Sequence, residues 1–193
     1  MEAEMLEVQS LPPYVEPFLQ LSQEYFSEAS HQLVKAALRV AVEKLDGMTR
    51  YDGTPLVLHS VGTATIVMCE IGLGRNSVIS TLLHDVVRLE LMDLNRIGRH
   101  YGEQCIGILK GLCNISDREL IVSYSSDPRV ILIKLADRLE VMRSLDMFPE
   151  EKRQKKSWES LNLYAQIAHK LGLYSIKSEL EDISLKYLES EDY

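Results

Sequence analysis

The stretch DPRVILIKLADRL, residues 127–139, decides how this chain folds. Pro128 stands in the first turn of a helix, where its missing N–H is not needed, and the residues that follow are apolar nearly all round. A helix that is apolar on every side has to be buried. The stretch therefore predicts a central helix from Asp127 to Asp146 that forms the axis of the core.

The rest of the chain has a similar helical periodicity, broken where Gly, Pro and polar capping residues cluster. No run with the period of a strand is comparably strong, and residues 48–55 are predicted to form a loop. The pattern indicates an all-α fold, with residues 1–193 as a single domain and residues 1–26 as an N-terminal helical extension. Further helices are predicted at about residues 15–26, 27–45, 57–71, 77–89, 93–101, 104–113, 149–171 and 175–188.

Charge and composition exclude several classes of protein. The net charge of −8 and the pI near 5.2 argue against a general nucleic-acid or membrane-surface binder, because both need a basic surface. No apolar run approaches the length of a membrane span, and the acidic N-terminus does not resemble a signal peptide. The three cysteines follow no disulfide or zinc spacing, which predicts a reducing, cytoplasmic setting.

Three strongly apolar stretches each contain conspicuous ionisable residues. These are His59 in LVLHSVGTATIV, the adjacent pair His84 and Asp85 in SVISTLLHDVV, and Asp137 in RVILIKLADRL. A buried charge costs several kcal/mol unless it is paired or bound to a metal. One shared divalent cation would compensate all four side chains.

Each of these residues, taken alone, also has an ordinary explanation. A histidine on an apolar helix commonly donates a hydrogen bond to a backbone carbonyl. Asp137 has three basic candidates for an ion pair nearby in the sequence, Lys134, Arg138 and Arg143. The joint pattern H…HD…D favours the metal interpretation over these separate ones.

Four segments of the chain carry a family resemblance. They are R-x-x-G-x-P-x-x-x-H at residues 50–59, LLHDVV at 82–87, DPRVILIKLADRL at 127–139 and YAQIAHKLGLYSIKSELEDISLKYL at 164–188. Together they resemble the N-terminal hydrolase-type domain of the long RelA/SpoT homologues, which make and degrade the alarmones ppGpp and pppGpp. The resemblance runs from about Val34 to the terminus and implies the all-α fold of the HD metal-dependent phosphohydrolases.

The resemblance also implies a cofactor and a reaction. In the family, the residues that correspond to His59, His84, Asp85 and Asp137 hold Mn²⁺. Mixed imidazole and carboxylate ligands suit Mn²⁺ or Fe²⁺, and such an ion can activate a water and neutralise phosphate charge. The implied reaction removes the 3′-pyrophosphate of ppGpp to give GDP and pyrophosphate.

Two further residues match nucleotide-binding positions of the family. Arg50 corresponds to the arginine that stacks against the guanine base, and Ser144 lies where a hydroxyl residue contacts the nucleotide.

The chain departs from the family where the attacking water is positioned. Active hydrolases carry Glu-Asp directly after the HDVV sequence, whereas this chain has Arg88 and Leu89, with Glu90 one place further on. Leucine cannot accept a proton, and arginine stays protonated near neutral pH. On a continuous helix Glu90 would project away from the face that carries His84. Recruiting Glu90 as a base would therefore require local unwinding.

Other departures fall in the expected nucleotide pocket. Val141 replaces an asparagine that contacts the nucleotide, and Glu140 replaces a histidine. Before His59, Leu56 replaces a tyrosine, and Tyr51 replaces a basic residue. The chain also looks shorter than the family between its HD pair and Asp137, around residues 114–119.

Three functional hypotheses follow. The first is a degenerate hydrolase domain that keeps the metal ligands and regulates an adjoining ppGpp synthetase domain in cis, so that this chain would be a fragment of a longer protein. The second is an active, Mn-dependent ppGpp 3′-pyrophosphohydrolase; loss of a general base typically slows such a reaction roughly 10²–10⁴-fold. The third is a non-catalytic helical module that binds a guanine nucleotide or a protein.

Overall fold

A computed structural model describes residues 10–114 and 127–188 of the chain. Within these residues, all regular secondary structure is helical apart from an isolated antiparallel bridge between Thr49 and Pro55, which confirms the predicted all-α class. In chain order the α-helices are α1 (Glu16–Tyr25), α2 (Glu28–Lys44), α3 (Val57–Thr65), α4 (Arg75–Arg88), α5 (Leu94–Tyr101), α6 (Glu103–Asn114), α7 (Pro128–Arg143), α8 (Glu150–Glu159), α9 (Ala165–Lys170) and α10 (Tyr174–Leu188).

Helix α7 is the predicted central helix, and it is buried along most of its length. Its N-cap residue Asp127 accepts a hydrogen bond from the backbone N–H of Arg129 at 3.0 Å. At the other end Ser144 Oγ donates to the carbonyl of Glu140 at 3.0 Å. The helix ends three residues earlier than predicted, and a short 3₁₀ turn, Leu145–Met147, follows it.

Two predicted helices are interrupted by π-helical turns. Helix α3 continues into a π turn at Ile66–Ile71, and a second π turn at Ser160–Tyr164 separates α8 from α9. A π turn inserts one residue, which rotates the following helical face by about 100°. Hydrophobic periodicity alone predicted uninterrupted helices here, because the apolar residues resume with little change of spacing.

Helices α3, α4 and α7 form the part of the fold that positions the candidate site. Helix α3 packs against both α4 and α7, while α4 also packs on α2 and α6. On the other side, α10 covers α8, α9 and part of α7. The buried apolar side chains join into a core cluster to which every α-helix except α8 contributes.

Two predictions fall partly on residues that the structure does not describe. Residues 1–9 of the predicted N-terminal extension and most of the apparently shortened segment near 114–119 lie outside the described ranges. Over the described ranges, none of the helices combines the length and the apolar character needed to cross a bilayer.

Candidate functional site

The four predicted metal ligands line one small cavity between α3, α4 and α7. His59 comes from α3, His84 and Asp85 from α4, and Asp137 from α7. The cavity has a volume of about 10 Å³, which is room for about one water-sized particle or a small ion. Its remaining wall consists of Ser60, Thr63, Thr81 and Ile133.

His59 is the most strongly paired side chain of this cavity. Its Nε2 lies 2.8 Å from Asp137 Oδ1, and its Nδ1 contacts Glu140 Oε2. An ionised carboxylate can only accept hydrogen bonds, so the ring donates from both nitrogens and carries a positive charge. Burial alone would lower the pKa of His59, but the carboxylates of Asp137 and Glu140 outweigh it and raise the pKa to about 10.

The pKa values of Asp137 and His84 are both lowered, but for different reasons. Burial by itself raises the pKa of Asp137, but attraction and hydrogen bonding to His59 hold it well below its usual range. Burial lowers the pKa of His84 and prevails over the attraction of Asp137 and Asp85. A neutral imidazole with a free lone pair is the form of histidine that binds metals.

Asp85 is paired within its own helix. Arg88 Nε donates to Asp85 Oδ1 at 2.9 Å, and Ser60 Oγ donates to Asp85 Oδ2 at 3.3 Å. Arg88 thus lies one turn after Asp85, at the last position of α4. Arg88 stands where the resemblance implies a catalytic carboxylate, and it supplies a cation that pairs with a predicted metal ligand.

The end of α4 also decides the position of Glu90. The helix stops at Arg88, and Glu90 adopts a left-handed backbone conformation with φ of 57°. The helix break that Glu90 would need in order to turn toward the site is therefore present. The side chain of Glu90 is nevertheless exposed, and Glu90 is not among the described residues that line the small cavity. Both carboxylates of that lining, Asp85 and Asp137, are predicted metal ligands.

The donor set fits a divalent cation in residue type, and its four members line one cavity. Two imidazoles and two carboxylates are the ligands that Mn²⁺ or Fe²⁺ accept. The 2.8 Å between His59 Nε2 and Asp137 Oδ1 is close to the ~3 Å expected between neighbouring ligands of one ion with bonds of about 2.1 Å. In the described residues, however, no three His, Cys, Asp or Glu side chains already stand as a metal cluster. The side chains pair with one another, with Arg88 and with Glu140.

A larger pocket of about 400 Å³ adjoins the small cavity, and His59 lines both. Apolar side chains dominate its wall, and its polar groups include Arg50 and Lys156. The remaining lining residues are Thr49, Tyr51, Leu56, Val141, Met147 and Phe148.

Arg50 is held at this pocket by a tight loop and by α7. Its backbone N–H donates to the carbonyl of Thr54 at 2.8 Å, which closes the loop. Its guanidinium Nη2 lies 3.0 Å from Glu140 Oε1 and donates to Ser144 Oγ at 2.7 Å. Ser144, predicted from the family resemblance to contact the nucleotide, lies behind Arg50 as its hydrogen-bond partner.

A basic surface continues from the pocket along α8. The rings of Tyr51 and Phe148 lie 5.0 Å apart, with Lys152 Nζ 5.0 Å from the Tyr51 ring centre and Lys156 Nζ 5.3 Å from that of Phe148. Together with Arg138, Lys155 and Glu159 these side chains line a third cavity, of about 370 Å³. An anionic, partly aromatic ligand would be complementary to this surface.

The sequence did not reveal the roles of Glu140 and Phe148. In the sequence Glu140 stands out only as a departure from the family resemblance, although in the structure it contacts both His59 and Arg50. The helical spacing of Asp137 and Glu140, three residues apart on one face of α7, was the signal that could have found it. Phe148 reaches the pocket because the chain turns back after α7.

Comparison with protein families gives a match to the HD domain over residues 117–174. A guanosine-3′,5′-bis(diphosphate) 3′-pyrophosphohydrolase of Aquifex aeolicus is 36% identical over 171 residues, which are 83% of this chain and 24% of that protein. A probable GTP pyrophosphokinase of Mycobacterium leprae is 30% identical and covers 95% of this chain. The chain spans about a quarter of the length of these curated relatives.

Other relatives carry different activities in their names. A bifunctional (p)ppGpp synthase/hydrolase RelA of Mycobacterium tuberculosis is 31% identical over 94% of this chain and 26% of its own length. Among solved structures, one reported for a metazoan orthologue of SpoT that hydrolyses ppGpp matches with a TM-score of 0.66 and 21% identity, covering 82% of this chain and 95% of that one. This likeness confirms the predicted fold.

Proposed function

The chain belongs to the RelA/SpoT-type proteins with an HD domain, and on that premise we propose that it is a degenerate ppGpp hydrolase domain. It binds a divalent cation and a guanine nucleotide, turns the nucleotide over slowly, and regulates a ppGpp synthetase domain in the same protein. The chain's own residues supply the binding groups but lack the pair that prepares the attacking water.

The pairing of Arg88 with Asp85 carries this proposal. In the described part of the chain, every carboxylate that lines the small cavity is a predicted metal ligand, and Arg88 stands at 2.9 Å from one of them. An arginine cannot take a proton from water near neutral pH. Loss of such a base typically slows hydrolysis roughly 10²–10⁴-fold.

The proposed metal is Mn²⁺, with Fe²⁺ as the alternative. His59, His84, Asp85 and Asp137 would hold the ion, and the lowered pKa of His84 supports this because it keeps that ring neutral. The bound ion would polarise a water and offset phosphate charge. Because His59 lines both cavities, the nucleotide's 3′ phosphates would reach the ion beside this ring.

The proposed nucleotide is ppGpp or pppGpp in the 400 Å³ pocket. Arg50 would contact the base, and Lys156 would face anionic groups. The basic surface of α8 supports an anionic ligand in spite of the net charge of −8.

Regulation in cis and a cytoplasmic location complete the proposal. The relatives are about four times longer than the matched part and include pyrophosphokinases by name, which supports a synthetase domain beside this one. The free thiols of Cys69, Cys105 and Cys113 support a reducing compartment.

The test is release of GDP and pyrophosphate from ppGpp by the purified chain with Mn²⁺. We expect turnover roughly 10²–10⁴-fold slower than that of an active hydrolase, together with retained ppGpp binding by calorimetry. Turnover as fast as that of an active relative would contradict degeneracy and support the active-hydrolase hypothesis. Nucleotide binding with no Mn²⁺ binding would instead support a non-catalytic module.

A restoring variant makes this test sharper. The double substitution Arg88→Glu with Leu89→Asp places a carboxylate pair after the HDVV sequence, and we expect it to raise turnover by at least about tenfold. The matched control is Arg88→Gln with Leu89→Asn, which has similar shapes without the negative charges. If both double variants behave alike, the missing carboxylates are not what limits this domain.

A further inference from the structure

We propose that Glu140 is the positioning residue for His59: it accepts a hydrogen bond from Nδ1–H and so fixes that proton on Nδ1, which makes Nε2 the nitrogen that would lose its proton and bind a divalent cation. The inference deepens the proposed function and rests on its metal site. It assigns a role to a residue that differs from the family's histidine.

The geometry of α7 places two carboxylates around one imidazole ring. Asp137 and Glu140 lie three residues apart, so they project from the same face of the helix. Asp137 meets His59 Nε2 at 2.8 Å, and Glu140 meets Nδ1. The side chain of Glu140 is only 11% exposed, so this contact is protected from competition with water.

Chemistry fixes the direction of the Glu140 contact. An ionised carboxylate has no proton to donate, so the proton must lie on His59 Nδ1. Histidines that bind metals almost always donate their other ring N–H to a carboxylate, a carbonyl or a water. Such a partner sets the tautomer, orients the ring and makes the ligating nitrogen more basic.

Neighbouring residues hold Glu140 in place from two other elements. Arg50 pairs with Glu140 Oε1 at 3.0 Å and is itself bonded to Ser144. On α3, Gly62 faces the glutamate, and a Cβ added there would lie 3.0 Å from Glu140 Cγ. The space for Glu140 therefore depends on the absence of a side chain at Gly62.

The same contacts argue against a catalytic role for Glu140. Its carboxylate is engaged by Arg50 on one side and by His59 on the other. It is not among the described residues that line the small cavity or the 400 Å³ pocket. Glu140 therefore acts through His59 and does not contact the reacting atoms.

The first test measures Mn²⁺ affinity by calorimetry for the parent chain, for Glu140→Gln and for Glu179→Gln. Glutamine keeps the shape of Glu140 but loses its charge, and we expect Mn²⁺ binding to weaken by about 10–100-fold. Glu179 also pairs with an arginine, Arg143, at 2.7 Å, but it lies on α10 away from His59. We expect its substitution to leave Mn²⁺ affinity unchanged.

A second variant displaces Glu140 without changing any charge. Gly62→Ala adds a methyl group against Glu140 Cγ, and alanine has a higher helix propensity than glycine. We expect Mn²⁺ affinity to fall severalfold while the melting temperature without metal is kept. Gly107→Ala is the matched control, because a Cβ at this helical glycine meets nothing within 4 Å.

A spectroscopic readout separates positioning from general stability. With Zn²⁺ as a diamagnetic probe ion, NMR of the histidine rings should find the His59 proton on Nδ1 and a hydrogen bond from it. In Glu140→Gln that proton resonance should shift, whereas in Glu179→Gln it should stay.

The outcomes distinguish this inference from the proposed function. Mn²⁺ affinity of Glu140→Gln within about twofold of the parent, or tighter, overturns the role of Glu140 alone. A parent chain that binds no Mn²⁺ overturns both this role and the proposed metal site. Fast ppGpp turnover by the parent would overturn degeneracy, and the Mn²⁺ result would still decide the role of Glu140.

Discussion

His59 belongs to two cavities, and the side chains on its two sides differ in kind. On the side of the small cavity it shares the wall with ionisable side chains from two other helices, His84, Asp85 and Asp137. On the side of the larger pocket, positions that are polar in the family carry apolar side chains such as Leu56 and Val141.

The difference shows which parts of a site can change without affecting the fold. The small cavity is built where α3, α4 and α7 pack on one another, so replacing a charged residue there would leave a partner unpaired and buried. The pocket is built from a loop, a helix end and a turn, where a polar side chain can become apolar at little cost. We therefore expect the proposed metal ligands to be kept more readily than the proposed nucleotide contacts.

The largest expected effect comes from breaking the small cavity with Asp137→Ala. The substitution removes one of four proposed ligands and the partner of His59, so we expect Mn²⁺ affinity to fall by at least about 100-fold. Calorimetric titration with Mn²⁺ measures it, with Asp182→Ala on the exposed surface of α10 as control. Binding equal to that of the parent would mean that the small cavity is not the metal site.

The next largest effect is expected on ppGpp affinity, when Val141→Asn adds a polar side chain to the pocket. Val141 lines the pocket, and one added hydrogen bond contributes about 1 kcal/mol, so ppGpp should bind about fivefold more tightly. Calorimetry with ppGpp measures the change. The control Val141→Leu keeps the wall apolar and should not raise ppGpp affinity. Weaker ppGpp binding by the asparagine variant would count against the pocket as the nucleotide site.

A smaller effect is expected on stability. It tests whether ion pairs of Arg143 hold the C-terminal end of α7, the helix that contributes to both cavities. Arg143 bonds to Glu70 and to Glu179. Because all three side chains are more than a third exposed, Arg143→Ala should lower the free energy of unfolding by only about 1 kcal/mol. A thermal melt should show a decrease of about 2–4 °C, and Arg96→Ala on exposed α5 is the control. An unchanged melting temperature would show that packing alone holds this end.

The smallest effect concerns the N-terminal end of α7 and depends on pH. Hydrogen bonds from Arg129 hold the pKa of Asp127 below its ordinary value of 3.8. A folded-state pKa below the unfolded one means that the stabilisation is present above pH 3.8 and is lost as the pH falls through the folded value. The expected contribution of this N-cap is about 1 kcal/mol or less.

Urea unfolding of the parent and of Asp127→Asn at pH 7 and pH 3 would check this. The difference in stability between the two chains should shrink at pH 3. A difference that stays constant would assign the contribution to hydrogen-bond geometry and not to the charge of Asp127.

The helices could be predicted from the sequence within a few residues, because they depend on local hydrophobic periodicity. The four residues that line the small cavity could also be predicted, because burying a charged side chain is costly. The sequence could not show that Glu140 faces His59, since that contact depends on how α3 crosses α7 and on the space left by Gly62. The pairing of Arg88 with Asp85 was accessible from their i, i+3 spacing.

The two π turns and the position of Phe148 could not be predicted from the sequence either, because they depend on tertiary packing. An inserted residue in a helix leaves the apolar composition unchanged, so no periodicity signal marks Ser160–Tyr164. Phe148 follows α7 in a turn whose course is set by the helices around it.

Arg143 joins the helix of the site to the last helix of the described chain. Its guanidinium donates to Glu70 at 2.6 and 3.0 Å and to Glu179 at 2.7 and 2.8 Å. A slide of α7 by even one residue, about 1.5 Å, would have to break these bonds, so Arg143 holds the C-terminal end of α7 in register with α10.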